Sequence, residues 1–63
     1  SKFKSYKVKV TASALNVRKS PSTTATIARD AYKKGTTVTI KAVKNCWGKT
    51  KDGWIKLSYT KKC

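Results

Sequence analysis

Histidine, glutamate and methionine are absent from this chain, and its only acids are two aspartates, Asp30 and Asp52. These absences exclude most enzymatic chemistry. General acid–base catalysis draws on imidazoles and carboxylates, and covalent catalysis needs a nucleophile beside a base. A Cys–His nucleophile cannot be assembled, and a paired-carboxylate glycosidase site would require Asp30 and Asp52 to meet. The three glycines form no phosphate-cradling loop. Cys46 and Cys63 stand seventeen positions apart, which fits no zinc spacing, and the chain offers too few other ligands to complete a site. The expectation is a non-enzymatic chain with no metal and no cofactor.

Long apolar runs are missing as well. Nothing approaches the roughly 18 residues that a membrane span requires, so no membrane span is expected. The opening stretch SKFKSYK lacks the apolar centre of a signal peptide. Sixty-three residues make one domain at most, here residues 1–63. A domain of this size buries only about 60% of the surface its unfolded chain exposes, leaving little room for an enclosed active site. So short a chain is expected to be a monomeric module excised from a larger protein. For the two cysteines, two readings stand. They could pair, closing a loop worth about 3 kcal/mol, or remain thiols in a reducing compartment with Cys63 in a frayed tail.

Positive charge, by contrast, is abundant. Sixteen Lys and Arg against two Asp give a formal charge of +14 and a pI near 10.3. A polyanionic partner follows: nucleic acid, an anionic membrane or an anionic wall polymer. Fourteen of the sixteen are Lys, and only Arg18 and Arg29 offer planar bidentate contacts. That balance favours diffuse attraction over base reading. The plainer alternative is a solubilising surface, although +14 exceeds what solubility asks of a small domain.

The apolar residues fall in short clusters with a period of two. Tyr6–Val10 reads as a half-buried strand with Val8 and Val10 inward, and Leu15–Arg18 repeats the pattern with Leu15 and Val17 inward. Lys19–Thr26, with Pro21 and five Ser or Thr, is a turn-rich loop. Ile27–Tyr32 is expected to be a short strand bending into a Lys34–Gly35 turn. Thr36–Val43 is rich in β-branched residues and reads as one strand with Val38, Ile40 and Ala42 on one face. Asn45 begins a break, and Lys51-Asp52-Gly53 carries an Asp-Gly hairpin signal between Trp47–Thr50 and Trp54–Leu57. Lys61–Cys63 is expected to be a loose end. Short strands with frequent turns and no convincing helix predict an all-β sandwich or small barrel.

Two segments carry a resemblance: Ala14–Ser22, ALNVRKSPS, and Gly53–Tyr59, GWIKLSY. With Lys34-Gly35, Val38, Ile40 and Trp47 between them, their order and spacing resemble the bacterial SH3 domains, the SH3-like modules of cell-wall hydrolases. Leu15-Asn16-Val17-Arg18 matches the L-N-V-R element, Pro21-Ser22 the following turn, Gly53-Trp54-Ile55 the second G-W, and Tyr59 the closing aromatic. Three departures stand out. Ser20 replaces the usual Gly before Pro21, so that turn must avoid positive φ. Cys46 replaces the Gly before Trp47, and Ile27–Lys34 is about one residue longer than the common pattern. The resemblance implies an SH3-like barrel of five to seven short strands. It also implies a non-catalytic module that binds bacterial cell wall, outside the cell, and targets an attached peptidoglycan hydrolase, from an autolysin or a phage endolysin.

The candidate ligand-binding residues are Asn16, Arg18, Tyr32, Trp47, Trp54 and Tyr59. If Ile55, Leu57 and Tyr59 share a face by alternation, Trp54 lies opposite with Lys56 and Ser58. There it could stack on a sugar or a peptide, or it could pack beneath a loop. Trp47 is expected in the core. Tyr32 and Tyr59 could line one groove beside the Pro21 loop, each offering apolar area and a polar tip, and Tyr59 could equally close the core. Asn16 is expected to brace that loop; Arg18 could bind a wall peptide or pair with Asp30 or Asp52. The partners so implied are a peptidoglycan peptide or glycan and anionic wall polymers. A single-stranded nucleic-acid-binding barrel is the alternative, since basic small barrels with exposed aromatics also suit single strands. A proline-rich peptide ligand is disfavoured for want of an acidic patch, and a membrane-active cationic protein is a further rival.

Overall fold

A computed structural model describes residues 4–62 of the chain. The fold is all-β. Eight short strands, β1 (Tyr6–Val10), β2 (Ala14–Arg18), β3 (Ile27–Lys33), β4 (Thr37–Ile40), β5 (Ala42–Lys44), β6 (Trp47–Lys49), β7 (Trp54–Lys56) and β8 (Thr60–Lys62), are interrupted by one 3₁₀ turn at Leu57–Tyr59. They form two antiparallel sheets, of three strands in the order β4-β1-β8 and of five in the order β3-β2-β7-β6-β5. The pairing among the described residues does not run round a closed barrel.

Alternation builds the core as the sequence predicts. Val8 and Val10 of β1, Leu15 and Val17 of β2, and Ile55 of β7 are buried together with Ile40 and Tyr32. Each fully buried aliphatic side chain contributes on the order of 1.5–3 kcal/mol. Tyr6, Ala28, Val38 and Leu57 pack against this cluster from its margins.

Several expectations are corrected. The strands number eight where five to seven were expected, because two segments behave differently from their local pattern. The Thr36–Val43 run is two strands in different sheets, β4 and β5, with a corner at Lys41, whose N–H donates to Lys49 O at 2.7 Å. Gly48 makes room at that corner: a Cβ there would stand 2.7 Å from Leu57 Cδ2 and 2.8 Å from Ile40 Cδ1. The expected loose end is β8, which pairs with β1 from Val8↔Lys62 to Val10↔Thr60; Cys63 lies outside the described residues.

The ladder of β3 with β2 slips between Leu15↔Tyr32 and Val17↔Arg29, and again between Val17↔Arg29 and Arg18↔Ile27, so seven residues face five. Each slip is a β-bulge, which bends a strand and re-aims its side chains.

The two hairpin turns also differ from the expected one. Asn45 and Cys46 have φ of 47° and 67° and join β5 to β6, where Lys44 pairs with Trp47, as a type I′ turn. Between β6 and β7 the reciprocal bonds Thr50 N–H to Gly53 O (2.7 Å) and Gly53 N–H to Thr50 O (3.3 Å) place Lys51 and Asp52, not Asp-Gly, at the tip. The Lys34–Gly35 turn forms as expected, with Thr36 N–H donating to Lys33 O at 3.1 Å.

Candidate functional site

The chain after β2 is a loop braced by its own polar groups. Ser22 N–H donates to Ser20 O across Pro21 (2.8 Å), Ala25 N–H to Ser22 O (3.1 Å) and Lys19 N–H to Thr26 O (2.8 Å). Ser22 Oγ accepts from Thr24 N–H at 3.2 Å. Positive φ among non-glycine described residues is confined to Asn45 and Cys46, so Ser20 turns without it. Arg18 Nη1 donates to Ala25 O at 2.8 Å and fastens the loop to β2. The expected brace, Asn16, makes no side-chain hydrogen bond among the described residues and is exposed. Arg18 pairs with neither Asp30 nor Asp52.

Across from that loop, the 3₁₀ turn is held on both sides. Leu57 N–H donates to Cys46 O at 2.9 Å, and Thr60 Oγ1 donates to Leu57 O at 2.8 Å. Tyr59 O accepts from both Thr11 N–H and Thr11 Oγ1, each at 2.9 Å. The turn ends the period of two after Lys56. Leu57 still packs against the core, but Tyr59 is 49% exposed and does not close it. Its backbone is fixed while its ring faces solvent, a combination that lowers the ordering cost of binding.

Between these two elements lies a groove of about 260 Å³ lined by Ala14, Leu15, Asn16, Arg18, Thr23, Trp47, Lys56 and Tyr59. Four of the six predicted site residues, Asn16, Arg18, Trp47 and Tyr59, therefore meet in one place. Trp47 is only 7% exposed, yet it stands outside the main core cluster. It is directly opposite Lys56 and so on the sheet face away from Ile55 and Gly48. Its indole N–H makes no hydrogen bond, and no buried side-chain nitrogen or oxygen among the described residues lacks a partner. The N–H therefore reaches solvent, and Trp47 supplies the groove with an apolar wall. Lys56 was not among the predicted site residues. Its signal was present in the alternation that pairs it with Trp54.

Tyr32 and Trp54 lie elsewhere. Trp54 is half-buried between Arg18 of β2 and Lys49 of β6, on the outward face as one of its two readings proposed. Gly53 brings β7 that close to β2: its φ is 149°, and a Cβ there would stand 2.6 Å from Arg18 O.

Tyr32 is 6% exposed, and its hydroxyl donates to Asp52 Oδ2 at 2.7 Å and lies 3.1 Å from Thr50 Oγ1. Arg29 bonds the same carboxylate oxygen at 3.1 Å and places its guanidinium 5.0 Å from the Tyr32 ring centroid. Burial pushes the Tyr32 phenol above its ordinary value, and the Tyr32 hydroxyl, then Arg29, hold Asp52 below its own. A second, larger groove of about 460 Å³ runs past Arg29, Asp30, Tyr32, Lys51 and Asp52. Arg29, Tyr32 and Asp52 are spent on one another there, a structural fastening of the β6–β7 turn, while Asp30, Lys33 and Lys51 line the same groove exposed. The smaller groove keeps the side chains of Asn16 and Lys56 available to a ligand.

Among the described residues no helix is long and apolar enough to cross a membrane. No protein-family model, curated protein or solved structure matches the chain.

Proposed function

We propose that this chain is a non-catalytic cell-wall-binding module of the bacterial SH3 kind, which holds an attached peptidoglycan hydrolase on its substrate outside the cell. The observation that carries the reading is the convergence of Asn16, Arg18, Trp47 and Tyr59 on one open groove. The first two come from the L-N-V-R element and the last from the closing aromatic, so the residues that carry the resemblance also build the cleft. An apolar indole wall, an exposed phenol and amide, guanidinium and ammonium donors suit a short peptide or glycan bearing carbonyl and carboxylate oxygens.

The surrounding lysines add long-range attraction to an anionic wall, which weakens as salt shortens the Debye length. In this reading catalysis belongs to the attached domain, and Asp52, one of the two aspartates here, is engaged by Tyr32 and Arg29.

Cosedimentation with purified sacculi tests the reading, with Asn16→Ala and Tyr59→Ala beside the unaltered chain. Retention that falls in both variants while the fold persists supports it. Equal retention in all three, or tighter binding to an oligonucleotide than to sacculi at moderate salt, overturns it. Retention unchanged between low and half-molar salt would make the charge incidental.

A further inference from the structure

We infer that the outer face of the five-stranded sheet is a docking track for a linear phosphodiester polymer of the cell wall, such as a polyol-phosphate chain. The inference rests on the wall-binding reading and adds to it the chemical class of a second ligand, on a face that shares Arg18, Trp47 and Lys56 with the groove.

The track follows from strand register. Arg18 stands opposite Trp54, and Trp54 opposite Lys49. One rung along, Lys56 stands opposite Trp47, and Trp47 opposite Lys44. Directly opposed residues share a sheet face, as do residues two apart on a strand. These six side chains therefore form a checkerboard of four cations and two indoles. Read across β2, β7, β6 and β5, the cations run Arg18, Lys56, Lys49, Lys44 in a zigzag. Each step is a diagonal of about 7–8 Å, a spacing that a flexible phosphodiester chain can follow with successive phosphates.

Nothing neutralises this row. The only ion pair among the described residues is Arg29–Asp52, and both aspartates line the other groove. Lys44 and Lys49 are exposed, and Arg18 and Lys56 are half-buried beside the indoles. A register that holds four like charges in a zigzag, with an indole between the two cations of each rung, leaves a continuous positive field for a linear polyanion.

The same face is a poor platform for nucleic-acid bases. Trp47 is buried and Trp54 half-buried, so neither offers the open ring on which a base stacks. Three of the four cations are lysines, which act as point charges and do not read base edges. The observations favour a polymer with phosphates and no bases.

The test compares two double variants of equal charge. Lys44→Gln with Lys49→Gln removes the two track cations that lie outside the groove. Lys7→Gln with Lys9→Gln removes two exposed lysines from the other sheet, on β1. Far-UV circular dichroism checks that each keeps the fold. Both, with the unaltered chain, are cosedimented with sacculi that bear their phosphodiester polymer and with sacculi chemically stripped of it.

The expected result is that the track variant loses about tenfold in binding to polymer-bearing sacculi at low salt, while the control double stays near the unaltered chain. On stripped sacculi all three should bind alike through the groove, whose lining neither variant touches. Equal losses in both doubles would overturn the inference, because the attraction would then be diffuse. No loss in the track variant, or displacement by oligothymidine at concentrations below those needed of the wall polymer, would overturn it too. If the unaltered chain bound neither kind of wall, the wall-binding reading itself would fall. Normal binding to stripped walls with no contribution from the track would sink the inference alone.

Discussion

Tyr32 and Asp52 meet hydroxyl to carboxylate at 2.7 Å, and this bond ties the bulged strand β3 to the turn between β6 and β7. Thr50, 2% exposed, completes the fastening. Its hydroxyl accepts from Asp52 N–H at 3.1 Å and lies 3.1 Å from both the Tyr32 hydroxyl and Gly53 O. Gly53 in turn sets β7 against Arg18, so the network indirectly holds one end of the outer sheet face.

Tyr32→Phe should therefore destabilise the chain by about 1–2 kcal/mol, since it keeps the ring and removes a bond to a partly exposed carboxylate. Urea unfolding at neutral pH measures this. Thr50→Val should cost a similar amount, and the double variant less than the sum, because the two hydroxyls belong to one network. Strict additivity would show that they act independently.

The same pair sets the pH limits. Asp52 is depressed in the folded chain, so its contribution is present above the unfolded carboxylate pKa near 3.8 and is lost as pH falls through the still lower folded value. Tyr32 is raised, so its contribution is complete below about pH 10 and is lost as pH rises through the folded value. The Asp52 contribution to melting temperature should fall away below the acid limit and the Tyr32 contribution above the alkaline one. Asp52→Asn should remove the pH dependence that Asp52 brings to the acid arm, and Tyr32→Phe should flatten the alkaline arm. An acid arm unchanged by Asp52→Asn would place the titration elsewhere.

Cys46 occupies the second position of a type I′ turn at φ 67°, a conformation that glycine adopts freely and other L-residues only with strain. Left-handed backbone costs such a residue about 1–2 kcal/mol, while glycine's greater freedom in the unfolded chain returns about 0.4–1 kcal/mol of that. Cys46→Gly should stabilise the protein by about 0.5–1 kcal/mol under reducing conditions, read as a rise of a few degrees in Tm. Destabilisation under those conditions would mean that the thiol makes a contact worth more than the strain.

Much of this fold is legible in the sequence wherever one face of a strand is buried. Val8, Val10, Leu15, Val17 and Ile55 point inward because a period of two leaves them no other face. What was not legible depends on residues distant in sequence. The corner at Lys41 exists because Gly48, on another strand, has no Cβ to collide with Ile40 and Leu57. The bulges in β3 are a property of its register with β2, and β8 is a strand only because β1 pairs with it. For the site, alternation put Trp54 on the outer face but failed at Tyr59, where it was extended through a 3₁₀ turn. Grouping Trp47 with Asn16 and Arg18 required the strand order β2-β7-β6, which no local pattern encodes.

Tyr59 and Trp54 should consequently fail in different ways when truncated. Tyr59 is 49% exposed, stands outside the core cluster and sits on a backbone pinned by Thr11, so Tyr59→Ala should change stability by no more than about 0.5 kcal/mol. Its ring is part of the groove, and its loss should lower retention on sacculi by about tenfold, the scale of an aromatic anchor. Trp54 is half-buried against the rungs of Arg18 and Lys49 and lines no part of that groove. Trp54→Ala should cost about 1–3 kcal/mol of stability, less than a fully buried aromatic, yet leave retention on sacculi stripped of their phosphodiester polymer nearly unchanged well below its Tm. Thermal melts and sacculus cosedimentation on the two variants separate the roles. The reverse pattern, with retention lost at Trp54 and stability lost at Tyr59, would move the binding surface from the groove to β7.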